Sequence, residues 1–184
     1  VPSSAASIHP AAPLLCWRAS LPFFPVLVKA KSWELIYGEK ERRLFNQFTP
    51  VPCREADQCA RAVYMDLQSA VVTEDFDAFC SALSELSTIG FKKRELDFRG
   101  DAAKVILRSM AKTGLNGAGM SSWGPTFFGF AKSAGLAQQA ALELRSHPDI
   151  ENAWSADFAT GATVKFPGEE PALAFSVATR QQIV

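Results

Sequence analysis

A chain of 184 residues with 48% hydrophobic content can bury one sizeable core, as one domain with loosely attached ends. Its 19 Lys and Arg balance 19 Asp and Glu, so composition gives no bulk electrostatic reason to expect nucleic acid as a partner. The most apolar early stretch, residues 21–28, contains two prolines and falls far short of the ~20 residues of a spanning helix, so no membrane partner is expected.

Residues 1–13 lack the basic start of a signal peptide, and a cytoplasmic location is expected. Cys16, Cys53, Cys59 and Cys80 form no close Cys-x-x-Cys pair, and His9 and His147 are far apart, so a zinc site is not expected. Cys59 and Cys80 fall on apolar helical faces and read as buried free thiols in a reducing compartment.

In chain order, residues 1–20 read as an irregular arm, because Pro2, Pro10 and Pro13 discourage regular structure. The β-branched and aromatic content from Phe23 to Ala30 predicts a strand. Gly38 precedes a helix over about 39–48, with Glu39 and Glu41 in its first turn and Leu44, Phe45 and Phe48 on its apolar face. Cys59, Ala62, Val63, Leu67, Ala70 and Val71 recur at helical spacing and predict a helix over 55–72. Thr73 is the expected N-cap of the next helix, whose stripe is Phe76, Phe79, Cys80, Leu83 and Leu86. With almost no loop between them, these two helices should form an antiparallel pair.

Lys92, Lys93 and Arg94 read either as a solvated connection between helices or as a phosphate-attracting cluster. Asp101 caps a further helix with Val105, Ile106 and Met110 inside and Gly114 as its stop. Thr126 to Ala131 is strand-like, residues 136–145 are helical, and Trp154, Ala156 and Phe158 alternate as in a half-buried strand. The predicted class is α+β, with helices packed on one face of a small antiparallel sheet. It spans residues 21–160, followed by a tail over 161–184 whose Leu173, Phe175 and Val177 make it a candidate added strand.

The stretch Gly117-Ala118-Gly119-Met120-Ser121-Ser122-Trp123-Gly124-Pro125-Thr126 concentrates backbone freedom and hydrogen-bond donors. Gly117 and Gly119 would let main-chain N–H groups approach a ligand, Ser121, Ser122 and Thr126 add hydroxyls, and Gly124-Pro125 bends the chain. Trp123 either anchors the turn or stacks on a planar ring. Such a loop is a candidate phosphate cradle; the competing reading is a tight strand–loop–strand connection whose serines satisfy backbone groups. It is neither a Walker loop nor the dinucleotide fingerprint.

The helix that follows Gly38 is a second candidate. Arg42 or Arg43 could fork onto a phosphate, and Glu39 or Glu41 could hold a divalent cation beside a diphosphate. The alternative is a solvated helix face with weak internal ion pairs. Neither histidine has a nucleophile partner, so no hydrolase triad is expected, and no catalytic residue is assigned.

Gly119 to Thr126 resembles the signature of the β-ribofuranosylaminobenzene 5′-phosphate synthase family, within the galactokinase, homoserine, mevalonate and phosphomevalonate kinase (GHMP) superfamily. Gly38-Glu39-Lys40-Glu41-Arg42-Arg43-Leu44-Phe45 resembles that family's glycine-then-acidic segment leading to phenylalanine. The order of elements also fits, over roughly residues 10–160. The resemblance implies the C-terminal domain fold of the superfamily. It implies an enzyme that couples phosphoribosyl diphosphate to 4-aminobenzoate or 4-hydroxybenzoate with loss of CO2 and diphosphate, toward tetrahydromethanopterin. Mg2+ is implied with it, together with a homodimer or an N-terminal domain supplied elsewhere.

The resemblance puts Ser121, Ser122, Gly124 and Thr126 beside the ligand, and Glu39 and Glu41 near the site. Arg42 and Arg43 become diphosphate contacts, and Trp123 an apolar wall for the arene. Met120 stands where many such enzymes carry glutamine and lacks its paired hydrogen bonds. Full members carry a preceding domain with its own glycine- and serine-rich loop, so the chain reads as a C-terminal portion. A small-molecule kinase of the same superfamily and a non-catalytic binding domain are the competing functions.

Overall fold

The computed structural model describes residues 21–158. The expected arm and tail, including Leu173, Phe175 and Val177, lie outside the described residues.

Four strands, β1 (Phe24–Ala30), β2 (Asn116–Met120), β3 (Thr126–Ala131) and β4 (Ile150–Ser155), form one antiparallel sheet in the order β2-β3-β1-β4. Period-2 alternation sends Val26, Val28 and Ala30 of β1 to one face, where Val28 pairs with Phe127 on one side and Ala153 on the other. Helices α6 (Asp101–Lys112) and α7 (Ala134–Leu144) cover that face with Ala103, Ile106, Met110, Ala137, Ala140, Ala141 and Leu144. The alanines keep α7 short-sided, so its backbone can lie close to the sheet. This is the expected α+β class, with helices on both faces of the sheet where one was expected.

Helix α4 (Phe76–Thr88) lies on the opposite side of β2 and β3, packing Phe79 and Cys80 with Phe23 and Phe130. Phe79 meets Phe23 at 5.1 Å and Phe130 edge-on at 5.0 Å. Cys80 is buried and unpaired, and desolvation, helped by Asp77, pushes its thiol up to about 12.

Helix α1 spans Gly38–Phe48. The helix expected over 55–72 is a run of α2 (Cys53–Arg61), a π-helical stretch (Ala62–Leu67) and α3 (Gln68–Thr73). Thr73 is not the cap of the next helix: it ends α3, donating its hydroxyl to the Ser69 carbonyl. Glu74 turns left-handed at φ 58°, and Asp75 caps α4 by accepting from the Ala78 N–H at 3.0 Å.

Residues 92–94 are not a connection either. They lie in α5 (Gly90–Arg99), whose Gly90 and Gly100 both adopt positive φ and break the helix from its neighbours. Asp101 is the first residue of α6, and Gly100 takes the capping position. Strand β4 begins at Ile150, earlier than the Trp154–Phe158 alternation indicates; Phe158 lies past it and stacks on Phe130 at 6.0 Å.

Candidate functional site

The glycine- and serine-rich stretch divides where β2 ends at Met120. Gly117 and Gly119 belong to the strand and face α4. A Cβ on Gly117 would lie 3.0 Å from Cys80 Cα, and one on Gly119 would lie 2.6 Å from the Phe128 ring and 2.9 Å from Ser87 Oγ. These two glycines let helix and strand approach; the space a ligand would need is filled by α4. Met120 also points inward, buried in the core with Met110 and Phe127. Its side chain is therefore engaged in packing, and the missing amide is not a gap on the exposed face.

The turn proper is Ser121–Pro125. Ser121 donates its N–H to Thr126 O at 2.8 Å, and Gly124 donates to Ser121 O at 2.8 Å. Ser122 at φ 45° and Gly124 at φ 78° are both left-handed, which reverses the chain tightly; for a serine this backbone is uncommon. The Gly124–Pro125 peptide is cis, and Pro125 O accepts from Ala30 N at 2.9 Å, tying the turn to the end of β1. Ser121 and Ser122 face solvent, while Trp123 and Pro125 face inward and Thr126 is half-buried.

Trp123 is 1% exposed and cannot offer a face to a substrate ring. The rings of Phe45, Phe91 and Phe98 meet it edge-on at 5.9, 5.5 and 5.5 Å, and Phe48 lies tilted at 5.9 Å. Trp123 is thus the anchor that joins the turn to α1 and α5.

Helix α5 braces the turn from beneath with polar groups. Arg99 donates Nε to Trp123 O at 2.5 Å and Nη2 to Glu34 O at 2.9 Å, with its guanidinium 4.7 Å from the centre of the Trp33 ring. Burial pulls the Arg99 guanidinium below its ordinary pKa. Glu95 is 3% exposed; it accepts from Ser122 Oγ at 3.3 Å and lies 2.5 Å from Lys92 Nζ. Lys92 also donates to Met120 O at 3.0 Å. A hollow of about 370 Å³ opens beside Arg99, lined by Ser32, Trp33, Glu34, Phe98 and Ala102.

The basic cluster therefore splits three ways. Lys92 reaches the turn, Lys93 pairs with Asp97 at 2.5 Å, and Arg94 bridges to Glu55 of α2 at 2.6 Å. On α1, Glu39 is held by Arg42 at 2.6 Å and Arg43 at 3.4 Å, and Glu41 is half-buried. Arg42 and Arg43 are solvent-facing, with side chains 72% and 78% exposed. Among the described residues, no group of three or more His, Cys, Asp or Glu is arranged to hold a metal ion.

The structure brings Ser121, Ser122, Trp123, Gly124 and Thr126 into one turn and joins the Gly38–Phe45 segment to it through the Phe45–Trp123 contact. Gly117 and Gly119 support the turn from behind. Sequence reasoning missed Trp33, Glu95 and Arg99. The spacing of Lys92, Glu95 and Arg99 places all three on one helical face, a signal legible only once residues 90–99 are read as a helix.

Residues 67–150, from the end of the π-helical stretch to the start of β4, match the family described as GHMP kinases C terminal. The fold is accordingly that of the C-terminal domain of the small-molecule kinase superfamily. A homoserine kinase from Cytophaga hutchinsonii shares it at a TM-score of 0.51 and 14% identity, over 77% of this chain and 42% of that one.

Within that class, the chain is a homologue of three proteins named beta-ribofuranosylphenol 5′-phosphate synthase. It is 32% identical over 139 residues to that of Methanocaldococcus jannaschii, covering 76% of this chain and 41% of the relative. The Archaeoglobus fulgidus protein is 32% identical over 133 residues, 72% of this chain and 40% of its own length. The Methanothermobacter thermautotrophicus protein is 28% identical over 138 residues, 70% and 39% respectively. The chain thus spans about two fifths of the length of these curated relatives. Among the described residues, no helix is long and apolar enough to cross a membrane.

Proposed function

We propose that this chain supplies the C-terminal part of a β-ribofuranosylphenol or β-ribofuranosylaminobenzene 5′-phosphate synthase, cytoplasmic and homodimeric. One observation carries the reading. The two segments that resemble the synthase signature, 38–45 and 119–126, lie far apart in sequence yet meet at the Phe45–Trp123 contact, with Ser121 and Ser122 exposed beside it. The likeness to three proteins bearing the synthase name supports it and favours 4-hydroxybenzoate as the arene, since its decarboxylation leaves a phenol.

In the proposed reaction the C1′–O bond of phosphoribosyl diphosphate breaks and diphosphate departs with the electron pair. The ring carbon bearing the carboxylate then bonds to C1′. The carbon–carboxylate bond breaks, CO2 leaves, and its electron pair restores the aromatic ring. Diphosphate departure concentrates negative charge, which preorganised donors stabilise. The Ser121 hydroxyl is the proposed donor, with the exposed guanidiniums of Arg42 and Arg43 on α1 as the proposed cations.

Mg2+ is proposed to enter with the diphosphate as part of the substrate, because Mg2+ needs only one or two carboxylates when phosphates supply other ligands. Of the two carboxylates on α1, Glu41 is the more available, as Glu39 is engaged by two guanidiniums.

The full-length protein, given phosphoribosyl diphosphate, Mg2+ and 4-hydroxybenzoate, is expected to release diphosphate and CO2 in equal amounts, with 4-aminobenzoate as a parallel arm. Absence of both products with either acid would remove the synthase reading. The match to the kinase C-terminal family favours one other activity, ATP-dependent phosphorylation of a small molecule, which the same preparation would reveal through ADP formation without consumption of phosphoribosyl diphosphate.

A further inference from the structure

We propose that Lys92 and Ser121 form a single anion-contacting unit held in place from below by Glu95 and Ser122, two positioning residues. The proposal deepens the synthase reading, resting on it for the identity of the anion: the diphosphate of the substrate.

Glu95 is the starting point. A carboxylate that is 3% exposed is costly to bury unless its partners compensate it. Its two partners are Lys92, 2.5 Å from one oxygen, and the Ser122 hydroxyl, 3.3 Å from the other. Both belong to the rim of the turn. A buried charge is thus spent on fixing two surface groups, one from α5 and one from the β2–β3 turn.

Ser122 supplies independent support. It adopts φ 45°, a left-handed backbone that a serine keeps only when its surroundings hold it there. The bond to Glu95 and the neighbouring inward Trp123 hold it. Strain maintained at an exposed polar residue is characteristic of ligand clamps.

Lys92 completes the unit. Its ammonium carries three donors. One faces Glu95 and one donates to Met120 O at 3.0 Å; the third has no partner among the described residues. The Lys92 side chain is 39% exposed while that of Glu95 is 4% exposed. The ion pair is neutral as a whole but layered, with its carboxylate beneath and its ammonium outermost, bonded to the Met120 carbonyl that precedes the exposed Ser121. That layering presents positive charge and the Ser121 hydroxyl to an incoming phosphate oxygen.

Titration of the full-length protein with inorganic diphosphate, at fixed Mg2+ and ionic strength, tests the unit without requiring turnover. Wild type should bind, Lys92→Gln should bind roughly tenfold more weakly or worse, and Lys92→Arg should recover most of the loss. Glu95→Gln gives opposite signs for two explanations. It adds net positive charge, so simple charge attraction predicts tighter binding, whereas loss of positioning predicts weaker binding. Should Glu95→Gln fail to fold, Ser122→Ala removes the hydroxyl that Glu95 holds and is expected to weaken binding severalfold.

A wild type that ignores millimolar diphosphate, unaltered affinity in Lys92→Gln or Ser122→Ala, or tighter binding by Glu95→Gln would each overturn the unit. Lysine-dependent diphosphate binding without synthase turnover supports the unit and counts against the synthase reading. Turnover with diphosphate binding indifferent to Lys92 has the reverse meaning.

Discussion

Replacing Trp123 with alanine is expected to lower the unfolding free energy by about 3–5 kcal/mol, the range for emptying a large aromatic site in a core. The residue is 1% exposed, and the surrounding rings belong to two helices, Phe45 and Phe48 on α1 and Phe91 and Phe98 on α5. Those rings cannot close the cavity without moving the helices that carry them, so the loss should fall near the upper end of the range. Leu44 and Ile36 share the same small cluster, and α1 would lose much of its attachment with them. Urea unfolding followed by far-ultraviolet circular dichroism measures the effect. A loss below about 1 kcal/mol would mean the indole is dispensable to packing, contrary to its role as anchor.

Gly117→Ala is expected to cost about 2–4 kcal/mol, combining two penalties. The native φ of +59° is left-handed, which costs an L-residue with a Cβ roughly 1–2 kcal/mol. The new methyl would also meet Cys80 Cα at 3.0 Å and Cys80 Sγ at 3.2 Å. The first of these is helix backbone, so relief requires α4 to move off β2. Gly114 provides the internal comparison. Its φ is +84°, but a Cβ there meets nothing within 4 Å, so Gly114→Ala should carry the conformational penalty alone. Chemical denaturation of both variants separates the terms. Equal losses at the two positions would show that the close approach of α4 contributes nothing, and a ligand-facing role for Gly117 would regain its standing.

Strands β1 and β3, α1 and the helices around Phe79 and Ile106 were legible because burial on one side imposes a period that composition records, whereas β2, with glycines at 117 and 119, read as loop. Helix α5 was not. Its sequence, Gly90-Phe91-Lys92-Lys93-Arg94-Glu95-Leu96-Asp97-Phe98-Arg99, carries so many charges that the three apolar residues give no clear stripe, and its charges are satisfied by Glu55, Asp97 and the turn. The cap between α3 and α4 was missed because Thr73, Glu74 and Asp75 all have capping chemistry, and only the left-handed Glu74 decides among them.

At the candidate site, glycines, serines and a proline marked a turn, but not which of its side chains point inward. That is settled by aromatic residues 25–78 positions away in sequence, Phe98 and Phe45 at the extremes, which claim Trp123 for the core. Likewise, Gly117 and Gly119 read as ligand-facing until α4 occupies the space next to them. Glu95 was invisible as a site residue because its meaning lies in Ser122, 27 positions further along the chain. Local sequence signals freedom and donors; tertiary packing decides which of them face solvent.

The most direct measurement is a crystal structure of the full-length protein with phosphoribosyl diphosphate and Mg2+. The account predicts diphosphate oxygens within hydrogen-bonding distance of the Ser121 hydroxyl and of Lys92 Nζ, with Ser122 still bonded to Glu95 and Trp123 still enclosed by its phenylalanines. Phosphoribosyl diphosphate seated away from this turn, with Lys92 and Ser121 touching only protein and solvent, would contradict it.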